Sequence, residues 1–178
     1  MDNIPIPPIE LATQPGHADA ERDTLVTFLD YFRSVLLRKA AGLAAPQLAA
    51  TLGPSTLTIG GLLKHMAFVE DAWFHKVLLD NGFPEPWASA DWNASPDWEF
   101  DTAPNDTPAE LLEQFLTSVA RSDAAIASVS DLDTIAADES RGEPTSLRWI
   151  LVHLIEEYAR HCGHADLIRE SIDGQTGD

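Results

Sequence analysis

Between Leu147 and Glu170 the chain reads LRWILVHLIEEYARHCGHADLIRE, and no other stretch restricts its folding as tightly. At about 100° per residue, Leu147, Ile150, Leu151, Leu154, His161, Ala165 and Ile168 fall within roughly 50° of one line on a helix. Arg148, Glu156, Arg160 and Glu170 take outward positions, as on an amphipathic helix with one buried stripe. His161 sits in the middle of that stripe. Relative to it, Glu157 lies roughly 40°, His164 about 60° and His153 about 80° round to the same side. All four can share one end of a crevice between helices.

A carboxylate and an imidazole four residues apart point the same way, so Glu157 and His161 can hold one metal ion from a single helix. A further ligand then has to come from a facing helix. The plainer reading of such a pair is a hydrogen-bonded contact inside a helix interface. A histidine on a second apolar stripe favours the metal. His65 lies beside Leu62 and Val69 in a segment where Ile59, Leu62, Met66, Val69 and Trp73 recur at helical spacing.

The spacing predicts four helices. The first is expected over about 16–41, where Leu25, Phe28, Leu29, Phe32, Val35 and Leu36 form one face and Gly42 is the stop signal. The second is expected over about 56–80, with Ser55, Thr56 or Thr58 as its cap. Thr107-Pro108-Ala109-Glu110 opens the third with a capping box and a proline at the first helical position. Leu111, Leu112, Phe115, Leu116, Val119 and Ile126 then carry its stripe to about Val129. The fourth runs from Thr145 or Ser146 to about Ile172.

Residues 1–15 hold four prolines and read as an extended arm. Residues 82–106, rich in proline, tryptophan and aspartate, have no helical period and read as a crossover loop. Trp87, Trp92 and Trp98 would anchor that loop to the bundle or wall a pocket over the metal. Four amphipathic helices without a convincing strand pair specify an all-α, four-helix bundle, one domain over residues 1–178.

Charge narrows the partners. With 29 Asp and Glu against 11 Lys and Arg, the formal net charge is −18, which repels nucleic acid and anionic membranes. No apolar run is long enough for a bilayer, and the proline-rich start lacks the features of a secretory signal, so a cytoplasmic protein is expected. The single cysteine, Cys162, fits a reducing compartment and is rotated about 100° from His161, where it reads as a packing residue. His17 and His75 read as surface residues.

The segments TIGGLLKHMAFVEDAW (58–73) and LRWILVHLIEEYARHCGHADLIRE (147–170) resemble the DinB-like superfamily, in particular its branch near the mycothiol-dependent maleylpyruvate isomerases and a related uncharacterised group. The likeness extends over all four helices, with its specific motifs on the second and fourth. It implies a bundle with up-down-down-up connectivity. It also implies a metal site formed by His65, Glu157 and His161, with His164 as an alternative third ligand. Many members of the superfamily carry a histidine where this chain has Glu157; the mycothiol-dependent isomerases carry a glutamate.

Three protein ligands leave a coordination position open, the arrangement of catalytic zinc sites. The same nitrogen and oxygen donors also hold nickel, iron or manganese. The resemblance implies a low-molecular-weight thiol such as mycothiol as nucleophile and a small electrophile as its target, giving S-transfer or cis-trans isomerisation. His153 and His164 would carry a proton or orient a ligand. The alternatives are a non-catalytic metal-binding bundle with a structural role or a homodimer interface, and metal-dependent hydrolysis through bound water. The partners expected are thus a small thiol and an electrophile, with neither nucleic acid nor membrane.

Overall fold

Six α-helices carry the computed structural model, which describes residues 4–177. They are α1 (Glu21–Ala40), α2 (Ala45–Leu48), α3 (Ile59–Glu70), α4 (Trp98–Thr102), α5 (Pro108–Ser128) and α6 (Leu147–Asp173). Among the described residues the β-structure is limited to an isolated bridge between Ile135 and Ser146, so the fold is all-α.

Capping chemistry fixes the helix starts. Ser146 accepts from the Trp149 N–H at 3.2 Å, and Thr58 from the Gly61 N–H at 2.9 Å. On α5 the box is reciprocal: Thr107 Oγ1 accepts from the Glu110 N–H while Glu110 Oε2 accepts from the Thr107 N–H. Gly174, with φ of 78°, closes α6 in the left-handed conformation that favours glycine.

Four expectations need correction. The first helix starts at Glu21 rather than near Gly16, because Asp19 Oδ2 takes the Gly16 N–H at 2.6 Å and ties 16–19 into a turn. The crossover is not wholly irregular: it contains α4 and a 3₁₀ turn at Ala103–Asn105. The second helix is not uniformly α, since after Glu70 it continues as a π-helix over Asp71–Leu78. Leu116, assigned to the α5 stripe, also faces outward at 47 % exposure.

The π segment begins where two consecutive buried acids are pulled apart. Glu70 accepts from Arg33 of α1 through both carboxylate oxygens at 2.7 Å, and from the Tyr158 hydroxyl of α6 at 2.7 Å. Asp71 faces α5 and accepts from Arg121 at 2.7 Å twice and from Ser118 at 2.6 Å. Both acids have zero exposure, so each charge is offset by a fork of donors rather than by water. Widening the backbone to i→i+5 bonding lets neighbours 70 and 71 serve opposite sides of the bundle.

These contacts also give the helix directions. α6 runs with α1: Arg148 pairs with Glu21 near their starts, and Arg169 donates to the Lys39 and Ala41 carbonyls near their ends. α5 runs with α3, since Lys64 binds Asp106 just ahead of α5 and Asp71 meets Ser118 and Arg121 further along. α3 and α6 are antiparallel across the seam marked by His65–His161 and Trp73–Trp149. The crossover is fastened over α3 by Trp87, 1 % exposed, whose indole N–H donates to Asp71 at 2.8 Å. Its ring joins Phe68, Phe83, Trp92 and Trp98 in one aromatic cluster. Ahead of α1, buried Ile6 offers its carbonyl to the Gly42 N–H at 2.8 Å, and the Ala12 N–H donates to Ser34.

Candidate metal centre

The α6 stripe is buried along its length: Leu147, Ile150, Leu151, Leu154 and Ala165 have no exposure, and His161 has 8 %. His161 therefore enters the core at the point where α3 presents His65. Their rings meet edge-on with centroids 4.9 Å apart. One donor atom from each of His65, Glu157 and His161 can be chosen so that all lie within 4.8 Å of one another. Within that trio, Glu157 Oε2 is 3.4 Å from His161 Nε2.

Burial, with the His65 and His164 imidazoles close by, pushes His161 down to about 4, so its ring is neutral and has a free lone pair at pH 7. The set comprises two imidazoles and one carboxylate from two antiparallel helices, the donor chemistry of a three-ligand zinc site. A second trio, His153, Glu156 and Glu157, also converges within 4.8 Å. Its Glu156 is exposed and committed to Arg160, so it is the poorer candidate.

The remaining histidines stand around the first trio. His164 Nδ1 is 3.3 Å from His161 Nδ1, within hydrogen-bond reach, while His161 Nε2 faces Glu157. His153 Nε2 is 3.7 Å from the other oxygen of Glu157. The His153 ring packs against two indoles that also touch each other, stacked on Trp149 at 4.9 Å and 20° and meeting Trp73 edge-on at 4.7 Å. His17 is exposed and His75 half-buried; neither belongs to either trio. Cys162 is buried with its thiol against the Phe32 carbonyl, and burial pushes that thiol up to about 12. It is a packing residue.

Two residues beside the centre escaped the sequence reading. Glu99, on α4, places Oε1 2.9 Å from His65 Nδ1, and Phe100 stacks on the same ring at 4.7 Å and 25°. Both sit in a stretch whose periodicity is too short to announce a helix. The only local signal is WEF, a carboxylate between two aromatic residues. Among the described residues, the ring contacts and indole hydrogen bonds of Trp87, Trp92 and Trp98 go to Phe68, Asp71, one another and Lys64 rather than to the trio; they anchor the crossover. A groove of 560 Å³ lies on the other side of α4, lined by Lys64, Trp98, Thr102, Asp106 and Arg121 among others, with no histidine in its lining.

The chain was compared with known proteins. A family model described as mycothiol-S-transferase matches residues 24–174. Among solved structures, a conserved protein from Enterococcus faecalis superposes with a TM-score of 0.64 at 19 % identity, over 89 % of this chain and 100 % of that one, a likeness of fold. No curated protein matches. No helix among the described residues is long and apolar enough to cross a membrane. The match extends over all four long helices and includes His65, Glu157 and His161, and on that ground the chain belongs to the mycothiol-S-transferase family of DinB-like proteins.

Proposed function

We propose that this protein is a divalent-metal-dependent S-transferase that joins mycothiol, or a closely related small thiol, to a small electrophile. The observation that carries the reading is the convergence of His65, Glu157 and His161 within 4.8 Å from two helices, in a chain matched by the mycothiol-S-transferase family. These three residues would hold the metal, zinc in the first instance. Its charge would favour a thiolate at neutral pH.

The chain's own residues do the rest. His164 orients His161 through the Nδ1 contact, and Glu157 is shared between His161 and His153 through its two oxygens. His153, part-exposed and beside Glu157, would carry the thiol proton toward solvent. Trp73 and Trp149 fix the plane of its ring. The electrophile would approach from this aromatic side, where Trp149 is 49 % exposed.

The test is elemental analysis of untagged protein purified without chelators, beside His65→Ala and His161→Ala, followed by a mass-spectrometric assay for thiol conjugates with the metal-loaded wild type. About one metal per chain in the wild type, little in either variant, and conjugates formed only by the loaded wild type are the expected results. Absence of metal after reconstitution overturns the site. Metal without conjugate formation over a panel of thiols and electrophiles overturns the transferase reading and leaves a structural metal bundle.

A further inference from the structure

His65 is the one member of the trio that α6 does not supply, and it is held from outside the α3–α6 seam. Glu99 is 5 % exposed, and its Oε1 lies 2.9 Å from His65 Nδ1. A carboxylate only accepts, so Nδ1 must carry the hydrogen, and in the neutral ring the lone pair is then on Nε2. Phe100, the next residue on α4, fixes the plane of the same ring from its face. One short helix therefore sets both the tautomer and the tilt of the imidazole.

Glu99 is otherwise a poor use of a buried carboxylate. Its Oε2 has no hydrogen-bond partner among the described residues, and Lys64, next to His65 in the chain, is engaged by Thr102 and Asp106 instead. A half-satisfied buried charge is costly unless positive charge is close. The carboxylate sits against His65, the α3 member of a trio of two imidazoles and a second carboxylate.

We infer that Glu99 is a positioning residue that fixes His65 as the Nδ1–H tautomer and, through it, sets how strongly the centre holds a divalent cation. The affinity half rests on the metal-site reading above; the tautomer half does not. Glu99 ties the crossover, 82–106, to the centre, so the loop that covers α3 also controls a ligand on it. Glutamine keeps an acceptor at this position and removes the charge, whereas alanine removes both.

The experiment uses ¹⁵N-labelled full-length protein without metal. Long-range ¹H–¹⁵N spectra report the His65 tautomer in wild type, Glu99→Gln, Glu99→Ala and Phe100→Leu. Wild type, Glu99→Gln and Phe100→Leu are expected as Nδ1–H, and Glu99→Ala as a mixture or Nε2–H. Zinc affinity, from competition with a chromophoric chelator, should fall about 10- to 100-fold in Glu99→Ala and less in Glu99→Gln.

A wild-type His65 bearing its hydrogen on Nε2 overturns the assignment, as does Glu99→Ala holding zinc as tightly as wild type. Should Glu99→Ala fail to fold, Glu99→Gln decides: Nε2–H there, or unchanged affinity, counts against the inference. If wild type binds no zinc, the metal reading and the affinity half fall together, and the spectra alone decide the tautomer.

Discussion

Replacing Asp71 with alanine removes the acceptor on which three side chains converge, and the structure sets the size of the loss. Arg121, with its side chain 29 % exposed, can turn to water when its partner is gone. Ser118 and the indole N–H of Trp87, at 0 % and 1 % exposure, cannot. Each stranded buried donor costs about 1–3 kcal/mol, and breaking a buried pair from one side costs about 3–5 kcal/mol, so a destabilisation near 4 kcal/mol is expected. That is roughly a thousandfold in the folding equilibrium, and a large part of the ~5–15 kcal/mol that holds a domain together. With a urea slope of about 2 kcal/mol/M, the unfolding midpoint should drop by about 2 M.

Trp87→Phe isolates one bond. It deletes the N–H and some ring volume but leaves Asp71 its other donors. In the double variant the stranded indole N–H no longer exists, so the two losses should fall short of additivity by about 1–2 kcal/mol. A midpoint shift under about 0.5 M for Asp71→Ala, or strict additivity with Trp87→Phe, would refute the hub.

Two further outcomes are expected. For His161, held at about 4 against an ordinary value near 6.5, the unfolded chain takes the proton first as pH falls. Its contribution to the metal-free fold is therefore complete above about pH 6.5 and disappears toward pH 4, by roughly 1–3 kcal/mol. The stability difference between wild type and His161→Gln should shrink over that window, and a flat difference from pH 7 to 4.5 would count against a neutral buried ring. Cys162, raised to about 12, should react with an aromatic disulfide reagent far more slowly in the native protein than in urea. Cys162→Ala should keep transferase activity within about twofold; rapid native labelling or abolished activity would contradict the packing role.

What could be read from the sequence divides by the range of the interactions. The α6 stripe, the i,i+4 placement of Glu157 and His161, and the Thr107–Glu110 box depend on neighbours within one turn, and they stand in the fold where their spacing put them. His65 needed a partner helix, but its place beside Leu62 and Val69 still marked it as inward-facing. The α-to-π change had no such local sign. It follows from Glu70 and Asp71 answering arginines on different helices, 37 and 50 residues away in the chain. Glu99 was hidden for the same reason: its partner is 34 residues distant, and a helix of five residues leaves no period to detect. The three crossover tryptophans were visible as anchors or pocket walls, and only the packing of Trp87 on Phe68 and Asp71 decided for anchors.

Holding Glu99 in place is work done by the whole crossover, since ordering each backbone residue costs about 1–2 kcal/mol and a five-residue helix has little stability of its own. The compensation comes from either side of His65 along α3 and its π continuation. On one side Lys64 is gripped by Thr102 at 2.8 Å and Asp106 at 2.5 Å, with Trp98 4.6 Å from the ammonium. On the other, Asp71 holds Trp87, and between them Phe68 packs against three aromatic rings of the crossover. Lys64 and His65 are adjacent, and so are Trp98 and Glu99. The same pair of helices therefore makes a cation–π contact on the groove side and a carboxylate–imidazole contact on the side of the His65–His161 seam. Fold stability and the geometry of the centre are coupled through these shared residues. A substitution that loosens the crossover at Lys64 or Asp71 must also loosen Glu99 on His65, even though neither residue reaches the metal trio.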